Sequence, residues 1–95
     1  MFHKVKEIKC LPNYFLLVTF EDGVVKQYDV KMLFDKWKVF NILKENEMLF
    51  EKVKVDEGGY GISWNEEIDL SCNELWNNGK DVKTYWFSSQ NMLKY

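Results

Sequence analysis

The sequence predicts one α+β domain: an antiparallel three-stranded meander, a helical segment, a second β-hairpin, a short C-terminal helix and an aromatic tail. Three observations predict it. Two apolar, β-prone runs flank a tight-turn motif at 21–23, apolar residues recur at helical spacing after position 29, and a helix-capping motif begins at residue 71. The 95 residues suit one domain, which we place at 1–79, followed by the tail at 80–95.

The first three strands are expected at 4–10, 14–20 and 24–28. The first mixes β-branched and charged residues and ends beside Pro12, which cannot donate a ladder hydrogen bond, so it is expected at the outside of the sheet. The second is apolar on both faces, which favours an inner strand. Between the second and third, Glu21, Asp22 and Gly23 suit a tight hairpin turn.

A helical segment is expected after the meander. Asp29 is suited to cap a helix, and apolar residues follow it at helix-like spacing. These residues are Met32, Leu33, Phe34, Trp37, Phe40 and Leu43. The spacing predicts a broken helix of about two to four turns. Residues 41–47 then indicate a polar connection, and the alternation over 48–55 predicts a half-buried strand.

The last predicted elements are a second hairpin and a short helix. Residues 56–59 predict a turn, and 60–64 a short returning strand. Ser71 and Glu74 form a capping box, in which the Ser71 hydroxyl accepts from the Glu74 amide and the Glu74 carboxylate reaches back to the Ser71 amide. The helix is expected to direct Leu75 and Trp76 inward and to end at Gly79 in the left-handed conformation.

Aromatic residues divide between the core and the tail. Trp64 and Trp76 lie in predicted elements, so we expect them in the core. The tail is too apolar to be expected in free solvent, so we expect it to pack on its own domain or on a partner. Its members make up the candidate interface: Tyr85, Trp86, Phe87, Met92 and Leu93.

Charge argues against nucleic-acid binding. All thirteen basic residues are Lys, so the chain cannot make the bidentate contacts of Arg to phosphates and guanines. The net charge of −2 also argues against a nucleic-acid partner. Basic residues do cluster on the first strand and in the helical segment, at Lys4, Lys6, Lys9, Lys36 and Lys38. Lysines on an outer strand also prevent edge-to-edge aggregation. Nucleic-acid binding through these strands stays the alternative.

The sequence indicates no enzyme, no cofactor and no metal site. Cys10 and Cys72 are far apart without metal-ligand spacing, and buried free thiols in a reducing cytosol are expected. His3 has no neighbouring Asp or nucleophile in the sequence. The glycines at 58–61 precede a strand rather than a helix, so we expect a hairpin and not a phosphate loop. The acidic residues at 56–57 and 66–69 lack calcium-loop spacing.

The sequence predicts a cytoplasmic protein without a membrane segment. The N-terminal residues carry no apolar stretch of the kind found in signal peptides. No apolar run approaches the roughly 18 residues that a membrane-spanning helix needs.

Several short motifs follow one another in a characteristic order: a hairpin with Phe-x-Asp-Gly, an aromatic-Asp pair, a Phe-rich strand, Gly-x-Ile-x-Trp and an Asp-Leu-Ser helix. They fall on Phe20, Asp22, Gly23, Tyr28, Asp29, Phe50, Gly61, Ile62, Trp64, Asp69, Leu70, Ser71, Leu75, Trp76 and Gly79. Over residues 4–79 this order resembles the bacterial domain-of-unknown-function family 2442. The resemblance implies an α+β fold and no established activity.

We therefore expect a protein-binding or assembly module whose partner is another protein or a second copy of the chain. For a stand-alone chain, the resemblance implies an antitoxin-like or adaptor role beside a small toxin-like protein. Some family members carry a C-terminal helix-turn-helix, but residues 80–95 are too few to form one and lack Arg.

Overall fold

The computed structural model describes residues 2–82, which form two antiparallel sheets and several short helices. The first sheet, in spatial order, consists of β1 (Val5–Leu11), β2 (Phe15–Phe20), β3 (Val25–Asp29) and β7 (Lys80–Asp81). The second consists of β4 (Lys54–Val55), β5 (Gly61–Ser63) and β6 (Asp69–Ser71). The α+β class and the three-stranded meander are confirmed.

The helices are all short. The α-helices are α1 (Asn41–Glu45), α2 (Glu47–Phe50) and α3 (Cys72–Asn78), and 3₁₀ turns occupy Pro12–Tyr14, Val30–Leu33, Lys38–Phe40 and Glu57–Gly59. The predicted cap at Asp29 is present, because its Oδ1 accepts from the Lys31 amide at 2.9 Å. Within residues 2–82, no helix has the length and apolar character that crossing a membrane requires.

The hairpin between β2 and β3 fixes which residues face the core. Gly23 adopts the left-handed φ of 92° that its turn requires. In the resulting register Leu16 lies opposite Tyr28, and both side chains are fully buried. Residues alternate between the two faces of a strand, so Val18 and Phe20 join Leu16 in the core.

The prediction for residues 41–55 is wrong in part. Residues 41–45 and 47–50 are helical instead of a polar connection and the start of a strand, and only Lys54–Val55 pairs in the sheet. Asn46 accounts for the second of these helices, because its side-chain oxygen accepts from the Leu49 amide and caps α2. The Phe50 carbonyl then receives the indole N–H of Trp64 at 2.9 Å.

The end of α3 also differs from the prediction. Gly79 ends the helix but has an extended backbone, with φ −78° and ψ 156°. A Cβ at this position would lie 2.5 Å from the Leu75 carbonyl oxygen and 3.1 Å from the Cβ of Lys26. Gly79 is therefore required by the close approach of the Leu75 carbonyl of α3, with Lys26 of β3 as a looser second neighbour, and not by a left-handed φ.

Two strands, β6 and β7, were not expected from the sequence. β6 pairs with β5, in the register Ile62 opposite Leu70, and leads directly into α3. β7 pairs with Lys26 and Gln27 of β3, so the first residues of the tail extend the meander sheet. The junction of β6 with α3 forms one wall of the candidate site.

Candidate functional site

A groove of about 370 Å³ lies between the 3₁₀ turn at 38–40 and the junction of β6 with α3. Its walls are formed by Trp37, Val39, Phe40, Glu67, Asp69, Leu70, Ser71 and Glu74. Some of these side chains are aromatic or aliphatic, and three are carboxylates. Concave sites that combine apolar walls with a few polar groups are the usual location of ligand binding.

Trp37 is the exposed aromatic residue of this groove, with 43% of its surface accessible. The chain reaches it through a turn in which Asp35 has a left-handed φ of 71°, and the Trp37 amide donates to the Leu33 carbonyl at 3.0 Å. Its ring centroid lies 5.9 Å from that of Phe40, which packs edge-on against Trp64 at 6.0 Å. The exposed indole therefore rests on a buried aromatic pair.

The acidic side of the groove is positioned by Glu74. Its Oε2 accepts from the Tyr28 hydroxyl at 2.8 Å and from the Asn78 side-chain amide at 2.9 Å. The Ser71 hydroxyl caps α3 as predicted, but the Glu74 carboxylate is directed to Tyr28 and Asn78 and not back to Ser71. The Ser71 half of the predicted capping box is therefore present. The Glu74 half is absent, because the Glu74 carboxylate accepts from Tyr28 and Asn78 instead, and these bonds hold it at the groove.

Two further carboxylates, Glu67 and Asp69, are exposed at the same groove. In the part of the chain spanning 2–82, neither forms an ion pair. A positive charge is also present nearby, since the Lys36 ammonium lies 5.2 Å from the centre of the Trp37 ring. The groove therefore offers an aromatic surface beside negative charge, which suits a ligand with an apolar group next to a cation.

Tyr28 supports the groove through its protonated phenol. Burial raises the pKa of its phenol well above the ordinary value, and the hydrogen bond to Glu74 and the charges of Glu74 and Asp29 raise it further. A phenol that keeps its proton throughout the neutral range cannot serve as a base there. Its role is to hold Glu74 in place.

Trp76 anchors the N-terminal segment and is half-buried, packed against the core as predicted. The His3 ring lies parallel to it with centroids 3.4 Å apart, and the Phe20 ring meets it edge-on at 5.0 Å. The Lys26 ammonium lies 4.3 Å from the Trp76 ring and donates to its carbonyl at 2.7 Å. His3 Nδ1 is also 3.4 Å from an Asp22 carboxylate oxygen, a contact that the hairpin creates across 19 residues.

Cys10 and Cys72 are both free thiols. Cys72 is buried as expected, whereas Cys10 is half-buried and donates to the Phe50 carbonyl at 3.4 Å. Burial raises the pKa of the Cys10 thiol, with a further contribution from the charge of Glu51. A thiol that stays protonated is a weak nucleophile. Among residues 2–82, no group of three or more His, Cys, Asp or Glu side chains is arranged to hold a metal ion.

The glycine-rich stretch forms the predicted turn between β4 and β5. A Cβ on Gly59 would lie 2.6 Å from the Val5 carbonyl oxygen, so the missing side chain allows β1 to pack against this hairpin. β1 is an edge strand of the first sheet, as predicted. Its Lys9 ammonium lies 3.7 Å from the Glu7 carboxylate, so the charges on this edge are mixed.

The core prediction for Trp64 is confirmed, since it is 5% exposed and its indole N–H is satisfied by the Phe50 carbonyl. Trp37, one of the apolar residues at helix-like spacing, is exposed at the surface. Its neighbours Asp35, Lys36 and Lys38 are all exposed, and this polar flank was the available sign that the segment lies at the surface. The predicted interface lies outside the described residues: Tyr85, Trp86, Phe87, Met92 and Leu93.

The described fold coincides with a known family. Residues 5–81 match the model of the family described as Protein of unknown function (DUF2442). The chain belongs to this family. The match begins at β1 and ends at β7, and the groove residues all lie inside it. A search of curated proteins returned no match, and neither did a search of solved structures.

Proposed function

We propose that this DUF2442 chain is a protein-binding module and that its partner inserts an apolar side chain, next to a basic one, into the groove beside Trp37. The exposed indole at a groove with both apolar and acidic walls is the observation that carries the proposal. Trp residues in partly enclosed sites are the commonest energetic anchors of protein interfaces. The carboxylates of Glu67 and Asp69 supply the complementary charge for the basic residue.

The segment that carries Trp37 supports a protein partner over a small metabolite. Four large apolar side chains in residues 30–50 are more than two-fifths exposed: Met32, Trp37, Ile42 and Met48. Burial of such side chains against a partner removes apolar surface from water, which is the main favourable term in protein association. A small molecule in the groove would leave most of them in solvent.

Within this function, the partner we favour is a small toxin-like protein, for which the chain would be an antitoxin-like binding partner. This choice rests on the resemblance of the motif order. Toxins that act on nucleic acids need basic surfaces, and a basic residue beside an apolar one matches the groove.

The test compares Trp37→Ala with Ile42→Ala. The two residues have nearly equal exposure, 43% and 44%, and lie five positions apart, but only Trp37 lines the groove. The partner is captured with the tagged wild-type protein, identified, purified and titrated by calorimetry. Loss of Trp37 is expected to weaken binding by about 2 kcal/mol or more. Ile42 lies outside the groove and would be a peripheral contact of the partner, so Ile42→Ala is expected to weaken binding by less than about 1 kcal/mol.

Cross-linking adds a positional readout to the titration. Lys36 and Lys38 flank Trp37 and are exposed, so amine-reactive reagents are expected to join them to the partner. Equal binding by the Trp37 variant, together with cross-links that avoid both lysines, contradicts the proposal.

A further inference from the structure

β6 is an edge strand, and its open edge faces the groove. In the second sheet β6 pairs on one side with β5, and none of the strands within residues 2–82 lies on its other side. The opposite edge of this sheet differs, because β4 lies against β1 of the first sheet. All three residues of β6, Asp69, Leu70 and Ser71, line the groove. An open strand edge is a template on which a further strand can pair.

The register of β5 with β6 shows which backbone groups of β6 are already used. The Cys72 amide donates to the Tyr60 carbonyl at 2.8 Å, and the Trp64 amide donates to the Ile68 carbonyl at 2.9 Å. Hydrogen-bonded positions alternate along an antiparallel ladder. Leu70 lies midway between Ile68 and Cys72, so its N–H and C=O groups also point to β5.

The backbone groups of Asp69 and Ser71 point the other way, because these residues lie between the hydrogen-bonded positions. Among the hydrogen bonds formed within residues 2–82, none uses either amide or the Asp69 carbonyl. The Ser71 carbonyl belongs to the first turn of α3, as at any helix N-cap. The capping box does not use the Ser71 amide either, since Glu74 bonds to Tyr28 and Asn78. The groove edge of β6 therefore offers two donors and one acceptor.

We propose that the partner adds an extended segment to β6 as a fourth, antiparallel strand of the second sheet. This inference rests on the proposed function and names the form in which the partner enters the same groove. Both existing pairings of this sheet are antiparallel, which favours that direction. The partner residue opposite Asp69 exchanges two hydrogen bonds with it, and the residue two positions earlier accepts from the Ser71 amide. Main-chain bonds of this kind give affinity, and pockets for alternate side chains give specificity.

Strand addition accounts for an apolar side chain beside a basic one, because neighbouring residues of an extended segment point to opposite faces of a sheet. The partner residue opposite Asp69 lies on the exposed face, where a basic side chain meets the Asp69 carboxylate. The residue before it lies opposite Leu70 on the core face, where Trp37 and Phe40 form an aromatic wall. The segment is therefore an apolar residue followed directly by Lys or Arg.

The test adds the peptide acetyl-Thr-Thr-Leu-Lys-Thr-Thr-amide to the isotope-labelled full chain and follows amide exchange by nuclear magnetic resonance. In the free protein, the Asp69 and Ser71 amides are expected to exchange quickly and the Leu70 amide slowly. With peptide at about nine times its Kd, exchange at Asp69 and Ser71 slows about tenfold, because a bonded amide exchanges only from the unbound fraction. The Leu70 amide, already bonded to β5, keeps its rate.

Two N-methylated peptides form a matched pair for this test. A methyl group on the Lys nitrogen removes the donor to the Asp69 carbonyl and lies between the strands, so it is expected to weaken binding about tenfold or more. A methyl group on the Leu nitrogen points away from β6 and is expected to leave binding nearly unchanged. Both peptides keep every side chain, so the difference between them reports main-chain pairing alone.

Three results overturn the inference. Slow exchange at Asp69 and Ser71 in the free protein means that this edge is already paired. A shift of the Trp37 indole signal without slower exchange at the two amides means that side chains dock without adding a strand, and the proposed function then stands. A groove that does not respond to millimolar peptide also excludes strand addition, while calorimetry with Trp37→Ala decides the proposed function separately.

Discussion

Replacing Tyr28 with Phe tests how the groove is built, because it removes one hydroxyl and keeps the buried ring. Tyr28 is fully buried and donates to the half-buried Glu74 carboxylate at 2.8 Å. A hydrogen bond to a charged group contributes about 1.5–3 kcal/mol, so Tyr28→Phe is expected to lower the free energy of unfolding by that amount at pH 7. The Asn78 contact to Glu74 remains, which favours the lower end.

The pH dependence of the unfolding free energy tests the environment of Tyr28 in a second, independent way. Folding raises the pKa of Tyr28 above its ordinary 10.0, so its contribution is fully present below pH 10 and is lost as pH rises towards the folded-state pKa. Each pH unit above 10 is expected to cost the wild type about 1.4 kcal/mol relative to the variant. The stability gap therefore closes near pH 11–12, after about one to two pH units.

The assay is urea unfolding followed by circular dichroism between pH 7 and 11.5, with Tyr60→Phe as the matched control. Tyr60 is 50% exposed, so its substitution is expected to leave stability unchanged at every pH below 10. A gap between wild type and Tyr28→Phe that stays constant from pH 8 to 11.5 refutes the raised pKa. An absence of any gap at pH 7 refutes the stabilising hydrogen bond to Glu74.

Two other predictions concern the backbone and the charge. Gly79→Ala is expected to cost about 1–3 kcal/mol of unfolding free energy, because the new Cβ meets the Leu75 carbonyl at 2.5 Å, and Gly23→Ala about 1 kcal/mol from its left-handed φ alone. Urea unfolding measures both, and an unchanged Gly79 variant contradicts the close approach. A gel shift with DNA or RNA at about 50 mM salt is expected to show no complex, whereas binding that falls steeply by about 200 mM would support the Lys-bearing strands.

Local sequence signals were sufficient for the meander and for α3. The turn at Asp22 and Gly23 and the caps at Asp29 and Ser71 act over four residues or fewer, so the sequence displays both partners of each interaction. Asn46 is a similar local cap that the alternating pattern after it concealed. The alternation of apolar and polar residues over 48–55 was misleading, because Phe50 is buried as part of helix α2 and not as part of a strand.

Non-local contacts limited the prediction of the site. The groove joins residues 37–40 with residues 67–74, and the Tyr28 to Glu74 hydrogen bond crosses 46 positions. β6 and β7 are strands of three and two residues, too short for any periodicity to indicate them. Residue type pointed to an aromatic-rich domain, but only the packing shows which aromatic side chain remains at the surface.

The three tryptophans between residues 37 and 76 show why the groove is the place to look for function. Trp64 is buried, and its indole N–H donates to the Phe50 carbonyl. Trp76 contacts His3, Phe20 and Lys26. Both contribute to the packing of the domain, so substituting either is expected to lower stability as well as any binding. Trp37 rests on Phe40 yet keeps 43% of its surface accessible. Of these three residues, Trp37 is therefore the one at which the proposed protein partner is tested most directly.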